Sequence, residues 1–148
     1  MPRAHAERRA CGIQTAWTCA DTPDKAITEI AQVLDPSDIG QILVFFSQPY
    51  EAESLCAALS AKFPDVPVAG CSTSGEITSD GFSERSVLVV AFPEQGFHFV
   101  SSVIPEVKAL SVDRASEAVQ ALRVRLDKPD GAHYDNLFAI SLIDGLSR

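Results

Sequence analysis

The residues of this 148-residue chain best suited to chemistry lie in one short run, 66–77, which reads VPVAGCSTSGEI. An apolar, strand-like stretch enters a cluster of small and hydroxyl-bearing residues: Gly70, Cys71, Ser72, Thr73, Ser74 and Gly75. The carboxylate of Glu76 closes the run. Small residues let a ligand or a second backbone approach closely, and glycine reaches the positive φ angles of anion-binding nests. Loops that follow strands are common places for function. A tight strand exit with no ligand would use the same letters.

Named motifs exclude several chemistries. A Walker-type phosphate loop needs G-x-x-x-x-G-K-[ST]; Gly70 and Gly75 fit, but Glu76 stands where the lysine belongs. A hydrolase elbow needs G-x-S-x-G, and residue 74 is Ser where the second glycine should be. The dinucleotide fingerprint G-x-G-x-x-G is absent. Zinc or redox sites want paired cysteines, yet Cys11, Cys19, Cys56 and Cys71 are separated by 7, 36 and 14 residues. Cys71 as a nucleophile would need a base within reach, from His98 or His133, and a group to orient that base. Nothing in the sequence supplies the arrangement, and a small apolar thiol at a strand end needs no such role. The chain therefore reads as a non-enzyme. Cys11, Cys19 and Cys56 are expected to be reduced and packed, as in a cytoplasm.

The elements that must position the run follow from hydrophobic periodicity. Residues 13–19 alternate as a strand, with Ile13, Thr15, Trp17 and Cys19 on one face and Trp17 in the core. Asp21 or Thr22, then Pro23, marks a helix start, and residues 35–36 stop that helix. The apolar run 42–46 (ILVFF) is a strand buried on both faces. A helix spans residues 51–62, a strand 66–71 and a loop 70–75, with a turn signal at Asp80–Gly81. Residues 86–92 and 96–103 are β-rich and closely joined, which predicts an antiparallel hairpin. A helical stripe follows over 111–126, and residues 136–142 (NLFAISL) form a last buried strand. The order βαβαβ, hairpin, αβ predicts an α/β fold: a mixed, partly parallel sheet with helices on its faces. Residues 1–10 read as a poorly ordered basic lead-in, and 11–148 as the domain.

Composition narrows the partners. The chain carries 20 Asp+Glu against 12 Lys+Arg, a net charge of −8. Three of the basic residues, Arg3, Arg8 and Arg9, fall in the lead-in. The body lacks the concentrated basic face of a nucleic-acid binder, and its sign disfavours an anionic membrane surface. No apolar run approaches the roughly 20 residues of a membrane span, and no secretory signal follows the basic start.

Three segments carry a family resemblance. VAGCSTSGEI, followed by Gly81-Phe82 and the run SVLVVAF, resembles the N-terminal part of the FIST domain. That family takes its name from F-box and intracellular signal-transduction proteins. The upstream ILVFFSQPY resembles the family's second strand and turn, and the terminal SLIDGLS resembles a later motif in which a strand ends in Asp-Gly-Leu-Ser. The resemblance implies a bacterial, cytoplasmic sensory domain that binds a small molecule, such as an amino acid, without catalysing a reaction. It implies a histidine kinase, chemotaxis receptor or cyclic-dinucleotide enzyme as output, as in two-component signalling. It also implies a domain continuing past Ser147, so the chain reads as a truncated N-terminal part.

Within that resemblance the ligand-binding candidates are Gly70, Cys71, Ser72, Thr73, Ser74, Gly75, Glu76, Asp144, Gly145 and Ser147. Asp144, Gly145 and Ser147 follow a strand of an open α/β sheet, where ligands usually bind. Glu76 and Asp144 could hold a ligand amine, or could be loop carboxylates in water, the reading favoured for both. A subset of the family resembles haem-holding nitric-oxide sensors, for which His98 and His133 are the axial candidates. Alternation within Phe97-His98-Phe99 instead turns His98 to solvent. A protein-interaction module without a ligand is a further alternative.

Overall fold

The computed structural model describes residues 4–106, 109–126 and 136–143. It divides into two compact units, one ending at Phe97 and one beginning at His98.

The first unit is a five-stranded mixed sheet with two helices and a small hairpin. In chain order it contains β1 (His5–Arg8), β2 (Gln14–Thr18), α1 (Pro23–Ala31), β3 (Gln41–Ser47), α2 (Ala52–Lys62), β4 (Val68–Thr73), β5 (Glu76–Thr78), β6 (Gly81–Ser83) and β7 (Val87–Phe92). The strand order is β1-β2-β7-β3-β4, and β5-β6 form a separate two-stranded ribbon. The β3–β4 pair is parallel, and the other neighbours in the sheet are antiparallel.

Local chemistry sets the helix starts. Thr22 caps α1 by accepting the Lys25 N–H, and Pro23 needs no partner in the first turn. Glu51 caps α2 by accepting N–H groups from Ser54 at 2.7 Å and Glu53 at 3.0 Å. Those bonds, with Ser54 foremost, hold its carboxyl below the usual carboxylate range. Asp35 caps a 3-10 turn over Pro36–Asp38. Hydrogen bonds from Ser37, then the neighbouring Arg8 guanidinium, hold its carboxyl low as well.

Both β-α-β crossovers step the same way across the sheet, from β2 to β3 and from β3 to β4. Right-handed crossovers then place α1 and α2 on one face, where they pack against each other. The core lies beneath them: Ile27 and Ile30 of α1, Leu55 and Leu59 of α2, Ile42, Val44 and Phe46 of β3, Val87 and Val89 of β7. Leu43, Phe45, Leu88 and Val90 alternate onto the opposite face and are half-buried. Trp17 shares that opposite face through its pairing with Leu88. It is buried, but outside the helix-covered cluster.

Several expectations give way. The hairpin of 86–92 with 96–103 does not form, and residues 97–106 carry no strand. Both edges of β7 are already taken, by β2 and by β3, so no ladder remains for a third partner. The basic lead-in is partly ordered: His5–Arg8 extend the sheet beyond β2. The loop expected over 70–75 is strand as far as Thr73. Cys11, Cys19 and Cys56 are exposed rather than packed.

In the second unit, α3 (Val112–Leu126) begins with Ser111 accepting the Arg114 N–H at 3.2 Å. None of its residues is buried. The strand expected over 136–142 is absent, and Leu137, Phe138 and Ile140 are exposed. No strand among the described residues of this unit is present to pair with it.

Candidate functional site

The chemistry-bearing run ends where the parallel pair β3–β4 ends. The crevice outside the carboxyl ends of strands is the usual ligand position in open α/β sheets. Ser47 closes β3 and Thr73 closes β4, in register with each other. Glu76 opens β5, and Ser86 precedes β7.

These four residues form one hydrogen-bonded cluster. Glu76 Oε2 accepts the Ser47 hydroxyl at 2.7 Å and also the Ser86 hydroxyl. Glu76 Oε1 accepts the Thr73 hydroxyl at 2.5 Å. Ser47 Oγ in turn accepts the Ser86 N–H at 3.0 Å, and Thr73 Oγ1 accepts the Gly75 N–H at 3.2 Å. Glu76 is 3% exposed, Ser47 1% and Ser86 0%. A carboxylate out of water is costly unless it is hydrogen-bonded, and here three hydroxyls meet it. No ion pair reaches it among the described residues. The reading of Glu76 as a loop carboxylate in water is thereby overturned.

Beside the cluster lies an open, polar depression of about 400 Å³, lined by Gln48, Pro49, Thr73, Ser74 and Glu84. Each partner of Glu76 adjoins a wall of it. Ser47 precedes Gln48 and Pro49, Thr73 itself lines the site and precedes Ser74, and Ser86 follows two residues after Glu84. One buried carboxylate thus ties three wall segments together. Tyr50, next to Pro49, donates its hydroxyl to the Ala20 carbonyl. Burial pushes its phenol up to about 12; Cys19, Asp21 and Glu76 add to the rise and Arg85 opposes it.

The other residues of the run have different places. Gly70 is exposed on β4, yet a Cβ there would sit 1.8 Å from the Val44 carbonyl oxygen. Its small size serves the β3–β4 approach. A Cβ on Gly75 would meet the Phe82 ring at 2.5 Å. Cys71 is half-buried, and burial raises its thiol above the usual range. Ser72 is exposed on β4. Asp144, Gly145 and Ser147 lie outside the described residues, as does His133.

A second depression, about 140 Å³, lies over the opposite sheet face. His5 stacks on Trp17 with centroids 5.5 Å apart. Asp80 Oδ2 accepts the Trp17 indole N–H at 3.2 Å and lies 3.3 Å from His5 Nδ1.

A model of the FIST N domain matches residues 41–148. The chain belongs to the FIST family. FIST domains are in general sensory domains of signal transduction, and the match begins at the first residue of β3, so it covers the whole Glu76 cluster. No curated protein and no solved structure matches the chain.

With His133 outside the described residues, His98 remains as the axial candidate for haem. Haem needs an apolar pocket with an axial histidine. His98 is exposed and lines neither depression. The larger depression is polar, and the one that His5 lines is below the size of a site for a drug-sized ligand. No group of three or more metal-ligating side chains occurs among the described residues, and none of their helices is long and apolar enough to cross a membrane.

Sequence reasoning missed Ser47, Gln48, Glu84, Ser86 and Asp80 as site residues. A signal existed for two of them. Ser47 ends one long apolar run and Ser86 starts another, so each sits at a strand terminus where a hydroxyl can turn inward.

Proposed function

We propose that this FIST domain is a cytoplasmic sensory input module that binds a small polar molecule, such as an amino acid, in the strand-end depression. The observation that carries the reading is the Glu76 cluster, which joins the ends of β3 and β4 to the start of β7 and fixes the depression's walls. Gln48, Thr73, Ser74 and Glu84 supply the polar contacts. The module performs no reaction; ligand shifts the balance of states of a partner. Histidine kinases, chemotaxis receptors and cyclic-dinucleotide enzymes of bacterial signalling are the partners this reading names.

A thermal-shift and calorimetric screen of the twenty amino acids tests the reading. A ligand at 100 times its Kd stabilises by about 2.7 kcal/mol. The shift should disappear in Gln48→Ala or Ser74→Ala. An absence of any shift across the amino acids, their amides and their N-acetyl derivatives overturns the reading.

A further inference from the structure

Two side chains of the strand-end depression, Thr73 and Glu84, face a ligand as hydrogen-bond acceptors. A hydroxyl has one proton and two lone pairs. Thr73 Oγ1 gives its proton to Glu76 and one lone pair to the Gly75 N–H, so what it retains is a lone pair. Glu84, on the same lining, is a carboxylate and accepts only. Gln48 and Ser74 can donate or accept. Glu84 is the ionisable side chain of the lining. Arg85 follows it in the chain, but is not part of the lining; its charge acts on the Tyr50 phenol.

We propose that this depression takes its ligand by an ammonium or guanidinium group, and that Glu76 is the positioning residue that enforces this polarity. The proposal rests on the strand-end depression being the ligand site. A ligand cation meets Glu84 as counter-charge and Thr73 as acceptor. A ligand carboxylate meets the Glu84 charge and finds no proton on Thr73. Glu76 never touches the ligand. It acts by claiming the Thr73 proton, which it can do only as an acceptor.

The test is calorimetric titration of the full chain with two probe series. Amino-acid amides keep the ammonium and lack the carboxylate; N-acetyl amino acids keep the carboxylate and lack the ammonium. Amides should bind at least about tenfold more tightly, the scale of one hydrogen bond to a charged group. Equal binding, or preference for the N-acetyl series, overturns the proposal and leaves the ligand site standing. Binding by neither series and by no free amino acid overturns both. Glu84→Gln, at an exposed position, should lower amide affinity about tenfold with Tm unchanged; an unaltered affinity overturns the proposal. Glu76→Gln places an amide N–H₂ that can donate to Thr73, freeing the hydroxyl proton. The amide-to-N-acetyl affinity ratio should then narrow, whereas a merely structural role would weaken both series alike. Where Glu76→Gln does not fold, Thr73→Val removes the acceptor at similar size. It should weaken the amides and spare the N-acetyl series; equal loss in both overturns the proposal.

Discussion

The Ser47 hydroxyl donates to Glu76 Oε2 at 2.7 Å across 29 residues of chain, joining the end of a central strand to the start of the β5–β6 ribbon. Ser86 donates to the same oxygen. A buried carboxylate that loses a donor is left under-satisfied, at a cost of about 1–3 kcal/mol. Ser47→Ala should therefore lose about that much in urea unfolding. Because Ser47 also accepts the Ser86 N–H, Ser47→Ala and Ser86→Ala should not add. Strict additivity in the double variant would contradict a shared cluster.

Gly70 pairs with Val44 in the parallel ladder, and an added methyl would overlap the Val44 carbonyl oxygen. Gly70→Ala should destabilise by about 1–3 kcal/mol, the usual penalty of overpacking. Loss of amide protection along β3 and β4 in hydrogen exchange should accompany it. A neutral substitution would mean that β4 does not approach β3 so closely.

Leu59 is fully buried between the helices and the sheet. Leu59→Ala should cost about 2–5 kcal/mol. Phe82 is 64% exposed on the ribbon, and Phe82→Ser should stay within about 0.5 kcal/mol. Chemical denaturation of the two variants side by side reads the contrast.

The four cysteines are all free, three exposed and one half-buried. Cys11, Cys19 and Cys56 should react rapidly with a thiol reagent in the native state. Cys71 should lag, because burial raises its thiol and lowers the thiolate fraction. In denaturant all four should react in one phase. Four equal native rates would contradict the placement of Cys71.

Tyr50 titrates at about 12 in the fold, against about 10 for an exposed phenol. A raised folded value means that the fold favours the protonated phenol. Its contribution to stability is complete below about pH 10 and is lost as pH rises to about 12. Spectroscopic alkaline titration should show a late phenolate step that Tyr50→Phe removes. Native ionisation of Tyr50 near pH 10 would contradict its burial.

Much of the first unit was legible in local letters. Thr22-Pro23 marks the start of α1, and the ILVFF and VLVVAF runs mark two strands, because capping, proline geometry and apolar continuity act over a few residues. The FIST resemblance was legible in the GCSTSGEI segment for the same reason. Partner choice was not. SVLVVAF could pair with the run after it, and does not, because β2 and β3 occupy both its edges. Nor could the letters place Glu76. Its environment is made by Ser47 and Ser86, brought from 29 residues before it and 10 after it by the sheet's strand order. Sequence alone determined the residue types, the helix starts and apolar strands of the first unit, and the acidic balance. Only the tertiary structure decided that a carboxylate in a polar run is buried, and that three hydroxyls give it their protons, because burial depends on which distant strands become neighbours.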